Sequence, residues 1–479
     1  MMLSETISQI ADFLFNPRSV AVIGASSDNE KERSGGWVGR LVQFGYRGRI
    51  YPINLNTEEI LGLKAYHSVE SIPDSVDYAI IAVPAQRVPE AVKQCIRKRI
   101  KMVHVYAAGF GETGKEEGGR LQAQLEDLIR NSETRLIGPN CMGVYSPESG
   151  LTFDTRFSKE PGPIGFLSQT GVGGRRLIYL ANQRGLRFSK AISYGNALDL
   201  DGPDFLEFFL EDPKTKFILV YIEGLRQGKR FFSALKRCTK TRPVVMLKGG
   251  LSEGGAGAVA SHTASLAGNR QVWQALFKQT GVIAVESFEE AVEQLVALVN
   301  LPIVKGRRVG LVGRGGGIGV VATDMCEAQG LLVPQFTQET REQLARITPA
   351  EAGSSVRNPV EIGLGKRGLS EHYGRGIKLV ASDPQIDLVM TFLNPEDYIH
   401  YGIGDWAEQV SNELIELGKS LSKPLVVVFM PGRDVKVFEL IIQIQDKCQE
   451  AGIACFSNFD AAIKATAKLV TYYEFKQDR

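Results

Sequence analysis

Short apolar runs rich in β-branched residues alternate with longer amphipathic segments along almost all of this 479-residue chain. This alternation is typical of α/β domains with parallel sheets, because parallel neighbours need a crossover segment between them. In the first 150 residues the predicted elements are the strands Ser19–Gly24, Arg49–Ile53, Tyr78–Val83, Lys101–Tyr106 and Arg135–Gly138, and the helices Val88–Lys98 and Arg120–Asn131. Their order predicts a Rossmann-like domain over residues 1–150.

An internal repeat organises the rest of the chain. GVIAVESFEEAVEQLVALV (281–299) aligns without gaps with GIACFSNFDAAIKATAKLV (452–470). Further upstream, PVVMLKGG resembles PLVVVFMPG, KFILVYIEG resembles QIDLVMTFLNP, and PIGFLSQTGVGG takes the place of RVGLVGRGGGIG. These matches predict two related flavodoxin-like domains over residues 151–302 and 303–479. Chance similarity between α/β domains is the alternative.

Charge and cysteine usage exclude several classes of ligand. Lys and Arg number 56 and Asp and Glu 54, which leaves a net charge of +2 and no general field for nucleic acid. The six cysteines lack CxxC or metal-ligand spacing, which indicates a reducing compartment and no metal site. The chain shows neither a secretory signal nor an apolar run of the roughly 20 residues that a membrane span needs. We expect a cytoplasmic protein that binds neither nucleic acid nor membranes.

The first strand runs into a junction of small residues. Gly24 ends the strand, and Ala25 and Ser26 are small enough for a ligand to approach the backbone closely. A nicotinamide cofactor would need GxGxxG here and an acid about 20 residues later, but the second strand ends at Asn54 instead. The junction therefore favours another phosphate-rich nucleotide, such as coenzyme A. A simple tight turn at Gly24 is the alternative.

Two further junctions, LSQTGVGG and VGRGGGIG, lead from a buried strand through glycines into a helix. The backbone N–H groups expected to face an anion belong to Gln169, Thr170, Gly171, Gly315, Gly316 and Gly317. Because the two junctions hold equivalent places in the repeat, packing the two domains together would aim both helix ends at one phosphate. Ordinary turns are the alternative for each junction taken alone.

The stretch LKGGLSEGGAGAVASHTASLAG (247–268) places His262 in a run of glycine, alanine and serine that predicts a loop. A neutral imidazole attacks phosphorus without first losing a proton, so His262 is a candidate nucleophile for phosphoryl transfer. Glu223, at the end of LVYIEG, is the acid best placed by topology to orient the ring. An exposed loop histidine and a surface carboxylate are the alternatives for these two residues.

Together with that stretch, YIEGLRQGKRF, LSQTG, AAGFGETG and RLIGPNCMGV resemble the NDP-forming acyl-CoA synthetases over nearly the whole chain. The resemblance implies that His262 is phosphorylated and that Glu223 stabilises the phosphohistidine. It also implies that the helix ends of LSQTG and RGGGIG bind phosphate and that the first domain binds coenzyme A. The residues that it assigns are Ser168, Gln169, Thr170 and Gly171 for phosphate, and Gly24, Ala25, Ser26, Asn54, Val83, Pro84 and Asn140 for coenzyme A.

The same resemblance implies a reaction and a partner. The reaction interconverts acyl-CoA, ADP and phosphate with a carboxylic acid, coenzyme A and ATP, through an acyl phosphate and phosphohistidine. The ATP-grasp domain of the family, which binds ATP or ADP and Mg²⁺, has no candidate segment here. A separate ATP-grasp β subunit is therefore expected, in an αβ or α2β2 assembly.

Four positions depart from the family pattern. Ala264 replaces a glycine, Leu55 a proline and Glu361 an aspartate, and RGGGIG replaces NAGGPG, which puts Arg314 beside the phosphate site. These changes leave room for an unusual substrate or weakened activity. The alternatives to a working ligase subunit are a CoA-binding regulatory or scaffold protein of the same fold, and a nucleotide-dependent oxidoreductase.

Overall fold

The computed structural model describes residues 10–263, 268–348, 355–362, 371–396, 406–430 and 434–477, with the backbone alone for 32–34, 260–263 and 406. The chain divides into two compact units. The first holds most of the chain up to Glu286, and the second holds the chain from Ser287 onward together with Gln183–Leu186. Among the described helices, none has both the length and the apolar character that a bilayer crossing requires.

The first sheet belongs to the first unit and is parallel, in the order β2-β1-β5-β6-β7. Its central strands are buried along their whole length, as expected when helices cover both faces. Its elements are β1 (Ser19–Ile23), α1 (Asn29–Gly35), α2 (Trp37–Phe44), β2 (Arg49–Ile53), β5 (Tyr78–Ile81), α3 (Val88–Arg97), β6 (Met102–Val105), α4 (Glu116–Arg130) and β7 (Arg135–Ile137), with a small hairpin of β3 (Glu59–Ile60) and β4 (Leu63–Lys64). The predicted Rossmann-like α/β order is confirmed.

The second sheet, also in the first unit, has the order β13-β12-β11-β9-β10-β8. All its pairs are parallel except that of β8 with β10, so the sheet carries one antiparallel edge strand. Its elements are β8 (Gly143–Tyr145), β9 (Ile164–Ser168), α5 (Gly171–Gln183), β10 (Phe188–Ser193), α6 (Gly202–Glu211), β11 (Phe217–Ile222), α7 (Gly228–Thr241), β12 (Val244–Lys248), α8 (Glu253–Thr263), α9 (Arg270–Thr280) and β13 (Ile283–Val285).

The third sheet lies in the second unit and is parallel, in the order β15-β14-β16-β17-β18. The elements of this unit are α10 (Phe288–Asn300), β14 (Val309–Gly313), α11 (Gly316–Ala328), α12 (Gln338–Ile347), β15 (Val360–Glu361), α13 (Glu371–Ser382), β16 (Leu388–Leu393), α14 (Trp406–Ser420), β17 (Leu425–Phe429), α15 (Val435–Glu450), β18 (Ala454–Phe456) and α16 (Phe459–Gln477). The buried residues of β14, β16 and β17 form one core with those of the helices around them.

The internal repeat is confirmed by topology and by register. The order β10-β9-β11-β12-β13 of the second sheet is the order β15-β14-β16-β17-β18 of the third. Helices α10 and α16, which hold the aligned segments of the repeat, pack against each other in the second unit. At one aligned position on each helix, the Nε2 of Gln294 donates to the carbonyl of Ala465 at 3.2 Å.

The domain boundaries after residues 150 and 302 stay a prediction. Strand β8 precedes the first boundary in the chain but pairs with β10 in the second sheet. Helix α10 precedes the second boundary but belongs to the second compact unit. At each predicted boundary, therefore, one element that precedes the boundary in the chain belongs to the sheet or unit that follows it.

Candidate functional site

The residues predicted to bind a nucleotide-like ligand meet at the carboxyl edge of β2, β1 and β5, which are neighbours in the first sheet. Gly24 has a φ of +91°, and a Cβ atom there would lie 2.7 Å from the carbonyl oxygen of Ala82. Only glycine fits this close approach of the β1 and β5 ends. Val83 and Pro84 follow β5 at the same edge, so the structure brings these predicted residues together.

Asn54 joins two of these strand ends. Its Nδ2 donates to the carbonyl of Ala25 at 2.8 Å, and its Oδ1 accepts from the backbone of Asn56 at 2.7 Å. Ser26 likewise turns its hydroxyl towards its own loop, where it accepts from the Asp28 backbone at 3.1 Å. Both side chains therefore shape the loops that would receive a ligand. Leu55, which replaces the expected proline, is 69% exposed.

A cavity of about 330 Å³ opens between the carboxyl ends of β6, β7, β9 and β10. Its walls include Tyr106, Asn140, Met142, Gln169, Thr170 and Val172. Asn140 adopts a φ of +59°, a conformation that non-glycine residues seldom take and that recurs at functional sites. The cavity therefore joins Asn140 of the coenzyme A assignment to three of the residues assigned to phosphate, Gln169, Thr170 and Gly171.

Buried His104 supports the loop that carries Asn140. Its Nε2 lies 3.1 Å from the carbonyl oxygen of Cys141. Burial lowers the pKa of His104 to about 4, and burial also raises the pKa of the Cys141 thiol. At neutral pH both groups are uncharged, so they act in packing and hydrogen bonding.

Gln169 fixes the position of Glu223. Its Oε1 accepts from the backbone of Glu223 and from the backbone of Gly224, the latter at 2.9 Å. The Glu223 side chain is buried at the end of β11, and the hydroxyl of Tyr221 donates to its Oε1 at 3.0 Å. The predicted acid is therefore held beside the predicted phosphate loop.

The prediction that the Gln169 backbone faces an anion is wrong, because its N–H donates to the carbonyl of Tyr221 at 3.2 Å and completes the sheet. Ser168 is also turned inward, with its hydroxyl donating to the carbonyl of Thr170 at 2.8 Å. Gly171 begins helix α5, where the first-turn N–H groups have no acceptor within the helix. Thr170 caps that turn by accepting from Gly173 at 3.3 Å. The prediction of anion binding at this junction therefore rests on the start of α5 rather than on Gln169.

Lys248, at the end of β12, extends the cluster. Its Nζ donates to the carbonyl of Glu223 at 2.7 Å and to the carbonyl of Gly249, and it lies 5.0 Å above the ring of Trp273. Burial lowers the pKa of Lys248 to about 8. Sequence reasoning missed this residue, although it begins the glycine-rich stretch that carries His262.

His262 lies near the end of helix α8. The predicted loop is therefore wrong for Glu253–Thr263, because an acid in the first turn and the alanines that follow favour a helix despite the glycines, and this helix lies against the 3₁₀ turn Gly111–Thr113. The side chain of His262 and the residue Ala264 are outside the described part of the chain. The distance from His262 to Glu223 accordingly stays open, and their pairing stays a prediction.

The second phosphate junction has the predicted backbone form. Gly315 precedes α11 with a φ of +106°, and Gly316 and Gly317 form its exposed first turn. The carboxylate of Glu361 reaches this helix start, since a Cβ atom on Gly316 would lie 2.6 Å from its Oε1. The convergence of this junction with the first on one anion stays a prediction.

Two polar residues that the sequence did not single out also belong to the site. Glu112 lies in the AAGFGETG motif, and Asn196 lies in the loop after β10. The Nδ2 of Asn196 donates to Glu112 at 2.6 Å, and the Nδ2 of Asn140 lies 3.4 Å from the Oδ1 of Asn196. Within the described ranges, no cluster of three His, Cys, Asp or Glu side chains is arranged to hold a metal ion.

Comparison with protein families assigns two regions of the chain. A family described as CoA binding domain matches residues 18–147. A family described as Succinyl-CoA ligase like flavodoxin domain matches residues 161–298. These regions contain the first and second sheets and the cavity between their strand ends.

Related proteins match over almost the whole chain. The alpha subunit of acetate–CoA ligase [ADP-forming] I of Pyrococcus furiosus is 37% identical over 97% of this chain and 98% of its own length. The alpha subunit of the corresponding ligase II is 38% identical over 88% and 90%. A solved dinucleotide-forming acetyl-coenzyme A synthetase 1 of Ca. Korarchaeum cryptofilum, in complex with phosphate and ADP, is 29% identical, with a TM-score of 0.83 over 98% and 97% of the two chains.

Proposed function

The chain belongs to the NDP-forming acyl-CoA synthetases, and we propose that it is the α subunit of an ADP-forming acyl-CoA synthetase. As an acid–thiol ligase it would interconvert acyl-CoA, ADP and phosphate with a carboxylic acid, coenzyme A and ATP. The observation that carries the proposal is the cavity of about 330 Å³, at which Asn140 from the first sheet meets Gln169 and the start of α5 from the second. A thioester and a phosphate could thereby bind and react in the same cavity.

The first step takes place in this cavity. An oxygen of phosphate attacks the acyl carbonyl carbon, the C–S bond breaks, and coenzyme A leaves as a thiolate that takes up a proton. The N-terminal end of α5 stabilises the negative charge of phosphate, since its N–H groups and helix dipole point at the anion. Asn140, on the cavity wall, supplies a neutral amide to the reacting carbonyl. The product is an acyl phosphate.

His262 then receives the phosphoryl group. A ring nitrogen that carries no proton attacks phosphorus, the P–O bond to the acyl group breaks, the carboxylate leaves, and the other ring nitrogen keeps its N–H. Glu223 is held by Gln169 and Tyr221, so its position is fixed before the histidine arrives. The Glu223 carboxylate accepts a hydrogen bond from the N–H group of the phosphorylated ring. Transfer from phosphohistidine to ADP completes the synthesis of ATP.

The coenzyme A assignment uses the carboxyl edge of β2, β1 and β5. The close approach at Gly24 and the bond from Asn54 to Ala25 leave a shallow, small-residue surface for the nucleotide end. Val83 and Pro84 border the same edge. From there the pantetheine arm would run along the strand ends towards Asn140.

Nucleotide chemistry is assigned to an ATP-grasp β subunit that binds ATP or ADP and Mg²⁺, in an αβ or α2β2 assembly in the cytoplasm. The Pyrococcus furiosus relatives are named as alpha subunits. The acetate–CoA ligase [ADP-forming] I of Archaeoglobus fulgidus is longer, and this chain matches 63% of it at 36% identity. The longer relative therefore has a further part beyond the region that this chain matches.

Labelling by acetyl phosphate tests the histidine step with this chain alone. Incubation with ³²P-acetyl phosphate should give alkali-stable, acid-labile label on the wild-type chain, because the acyl phosphate donates its phosphoryl group to His262. The variant His262→Asn should take up no label, whereas His67→Asn, which changes an exposed histidine, should label as the wild type does. Undiminished label on His262→Asn would refute the assignment of His262.

The same preparations separate the ligase from a CoA-binding regulatory protein. A ligase subunit also converts acetyl phosphate and coenzyme A to acetyl-CoA and phosphate, whereas a scaffold binds coenzyme A without either reaction. The oxidoreductase alternative has no support at β1, where GxGxxG is missing. Tight binding of NAD(H) would revive it.

A further inference from the structure

Three loops from two sheets meet beside the cavity. The first follows β6 and contains Glu112, the second follows β7 and contains Asn140, and the third follows β10 and contains Asn196. Their backbones are joined as well as their side chains, because the N–H of Asn140 donates to the carbonyl of Ala107 at 2.9 Å and that of Asn196 donates to the carbonyl of Pro139 at 3.0 Å. The three loops are therefore hydrogen-bonded to one another through their backbones as well as their side chains.

The side chains of these loops form a directional chain of hydrogen bonds. The Glu112 carboxylate accepts from the backbones of Gly109 and Phe110 at 2.6 and 3.2 Å through Oε1, and from the Nδ2 of Asn196 at 2.6 Å through Oε2. A carboxylate only accepts, so Asn196 must turn its NH₂ group towards Glu112 and its carbonyl oxygen towards Asn140. Asn140 must in turn present its own NH₂ group to that oxygen, at 3.4 Å.

The same carboxylate stabilises the turn that contacts helix α8, which carries His262. By accepting from Gly109 and Phe110, Glu112 closes the segment that leads into the 3₁₀ turn Gly111–Thr113. Helix α8 lies against this turn. One side chain thus supports both the amide on the cavity wall and the surface on which α8 rests.

We propose that Glu112 is a positioning residue, which orients the Asn140 amide through Asn196 and so sets the geometry of acyl transfer between thioester and phosphate. This inference rests on the proposed function. Glu112 touches no reacting atom in it. Its effect is to prevent the amide of Asn140 from turning over, an inversion that would exchange the donor and the acceptor that face the cavity.

Variants that exchange hydrogen-bond donors for acceptors at positions 112 and 196 test the inference. In Glu112→Gln the side-chain oxygen still accepts from the backbones of Gly109 and Phe110, so the new NH₂ group faces the NH₂ group of Asn196. To restore a hydrogen bond there, the amides of Asn196 and Asn140 must both turn over. In Asn196→Asp two carboxylates face each other. In the double variant the new amide donates to the new carboxylate, which still accepts from Asn140, so the original orientation of Asn140 returns.

The measurement is the conversion of acetyl phosphate and coenzyme A to acetyl-CoA and phosphate by the full chain. We expect kcat to fall about tenfold in Glu112→Gln and at least as much in Asn196→Asp, with the KM for coenzyme A unchanged. The double variant should return to within about threefold of the wild type, which loss of structure alone would not do. Glu116→Gln, an exposed carboxylate on the same segment, should match the wild type.

Three outcomes overturn the inference while the proposed function stands. Wild-type kcat in Glu112→Gln excludes an effect on Asn140, and a double variant as slow as the slower single variant excludes the directional chain. A rise in KM with unchanged kcat would assign Glu112 to coenzyme A binding instead. A wild-type chain that neither makes acetyl-CoA nor labels His262 would remove the proposed function and this inference with it, whereas an active wild type isolates the inference.

Discussion

The two halves of the repeat share one scaffold but differ in chemistry at equivalent positions. Strand register aligns Ser168 of β9 with Gly313 of β14, because their partners Tyr221 and Phe392 hold the same place in β11 and β16. The residues that follow therefore correspond in order: Gln169 to Arg314, Thr170 to Gly315, and Gly171 to Gly316. Both halves begin a helix at this point, and in the first half the side chain of Gln169 accepts from the backbone of the neighbouring strand end.

The same register extends to the acid and the lysine. Ile222 pairs with Lys248 in the first half, and Leu393 pairs with Phe429 in the second. Lys248 thus corresponds to Phe429, and Glu223, the next residue after Ile222, corresponds to Asn394. The second half keeps the helix start but has Asn394 and Phe429 in place of the two ionisable groups, so the proposed anion-binding helix end is duplicated and the proposed acid for phosphohistidine is not.

A carboxylate added to the first junction should have the largest effect. Gln169→Glu keeps an oxygen for the N–H groups of Glu223 and Gly224 but places negative charge at the start of α5. We expect the initial rate of His262 labelling by acetyl phosphate to fall about 100-fold. Gln338→Glu, at an exposed position, is the matched control. Labelling of Gln169→Glu at the wild-type rate would show that phosphate does not bind at this helix end.

Removal of the carboxylate from the second junction should have a smaller effect of opposite sign. Glu361 lies against the first turn of α11, where its carboxylate would compete with phosphate for the proposed anion-binding helix end. Glu361→Gln should lower the KM for phosphate in acyl phosphate formation about fivefold, since a charge at a helix terminus contributes about 1 kcal/mol. Glu361→Asp, which keeps the charge on a shorter side chain, is its control. A higher KM in Glu361→Gln would mean that the carboxylate assists phosphate binding.

The smallest effect concerns stability. Because burial lowers the pKa of Lys248 to about 8, the unfolded chain binds this proton more tightly than the folded chain does. The folded state therefore gains stability as the pH rises from about 8 towards the ordinary lysine pKa of about 10.4. Between pH 7.5 and about 8.8, the free energy of unfolding should rise about 1 kcal/mol more for the wild type than for Lys248→Met, measured by urea denaturation. Phe429→Met in the second half should show no such difference in slope.

Local pattern was sufficient for the strands and their order. Strand β2 has the predicted bounds, and β1, β5, β6 and β7 end within two residues of them, because buried parallel strands read as continuous apolar runs. The repeat was also visible, since its segments keep the same apolar spacing in both halves. Helix α8 was missed because glycine, alanine and serine give no amphipathic pattern from which to infer a helix.

Hydrogen bonds between side chains that are far apart in the chain could not be predicted from the sequence. Asn196 and Glu112 are 84 residues apart, and Asn140 and Asn196 are 56 apart, so neither bond follows from local spacing. The backbone role of Gln169 was predicted wrongly for a similar reason. Its N–H completes the pairing with β11, and its side chain, rather than its backbone, is the functional group.

The glycines of α8 affect how easily the segment that carries His262 can unwind, and so how far His262 could carry a phosphoryl group in the proposed reaction. Gly254, Gly255 and Gly257 each lower helix stability by about 1 kcal/mol relative to alanine. A Cβ atom at Gly254 or Gly257 would meet nothing within 4 Å, so steric fit does not require either glycine. Together they make the helical form of this segment about 3 kcal/mol less stable than three alanines would. Unwinding of the segment, which would lengthen its reach, costs less by that amount.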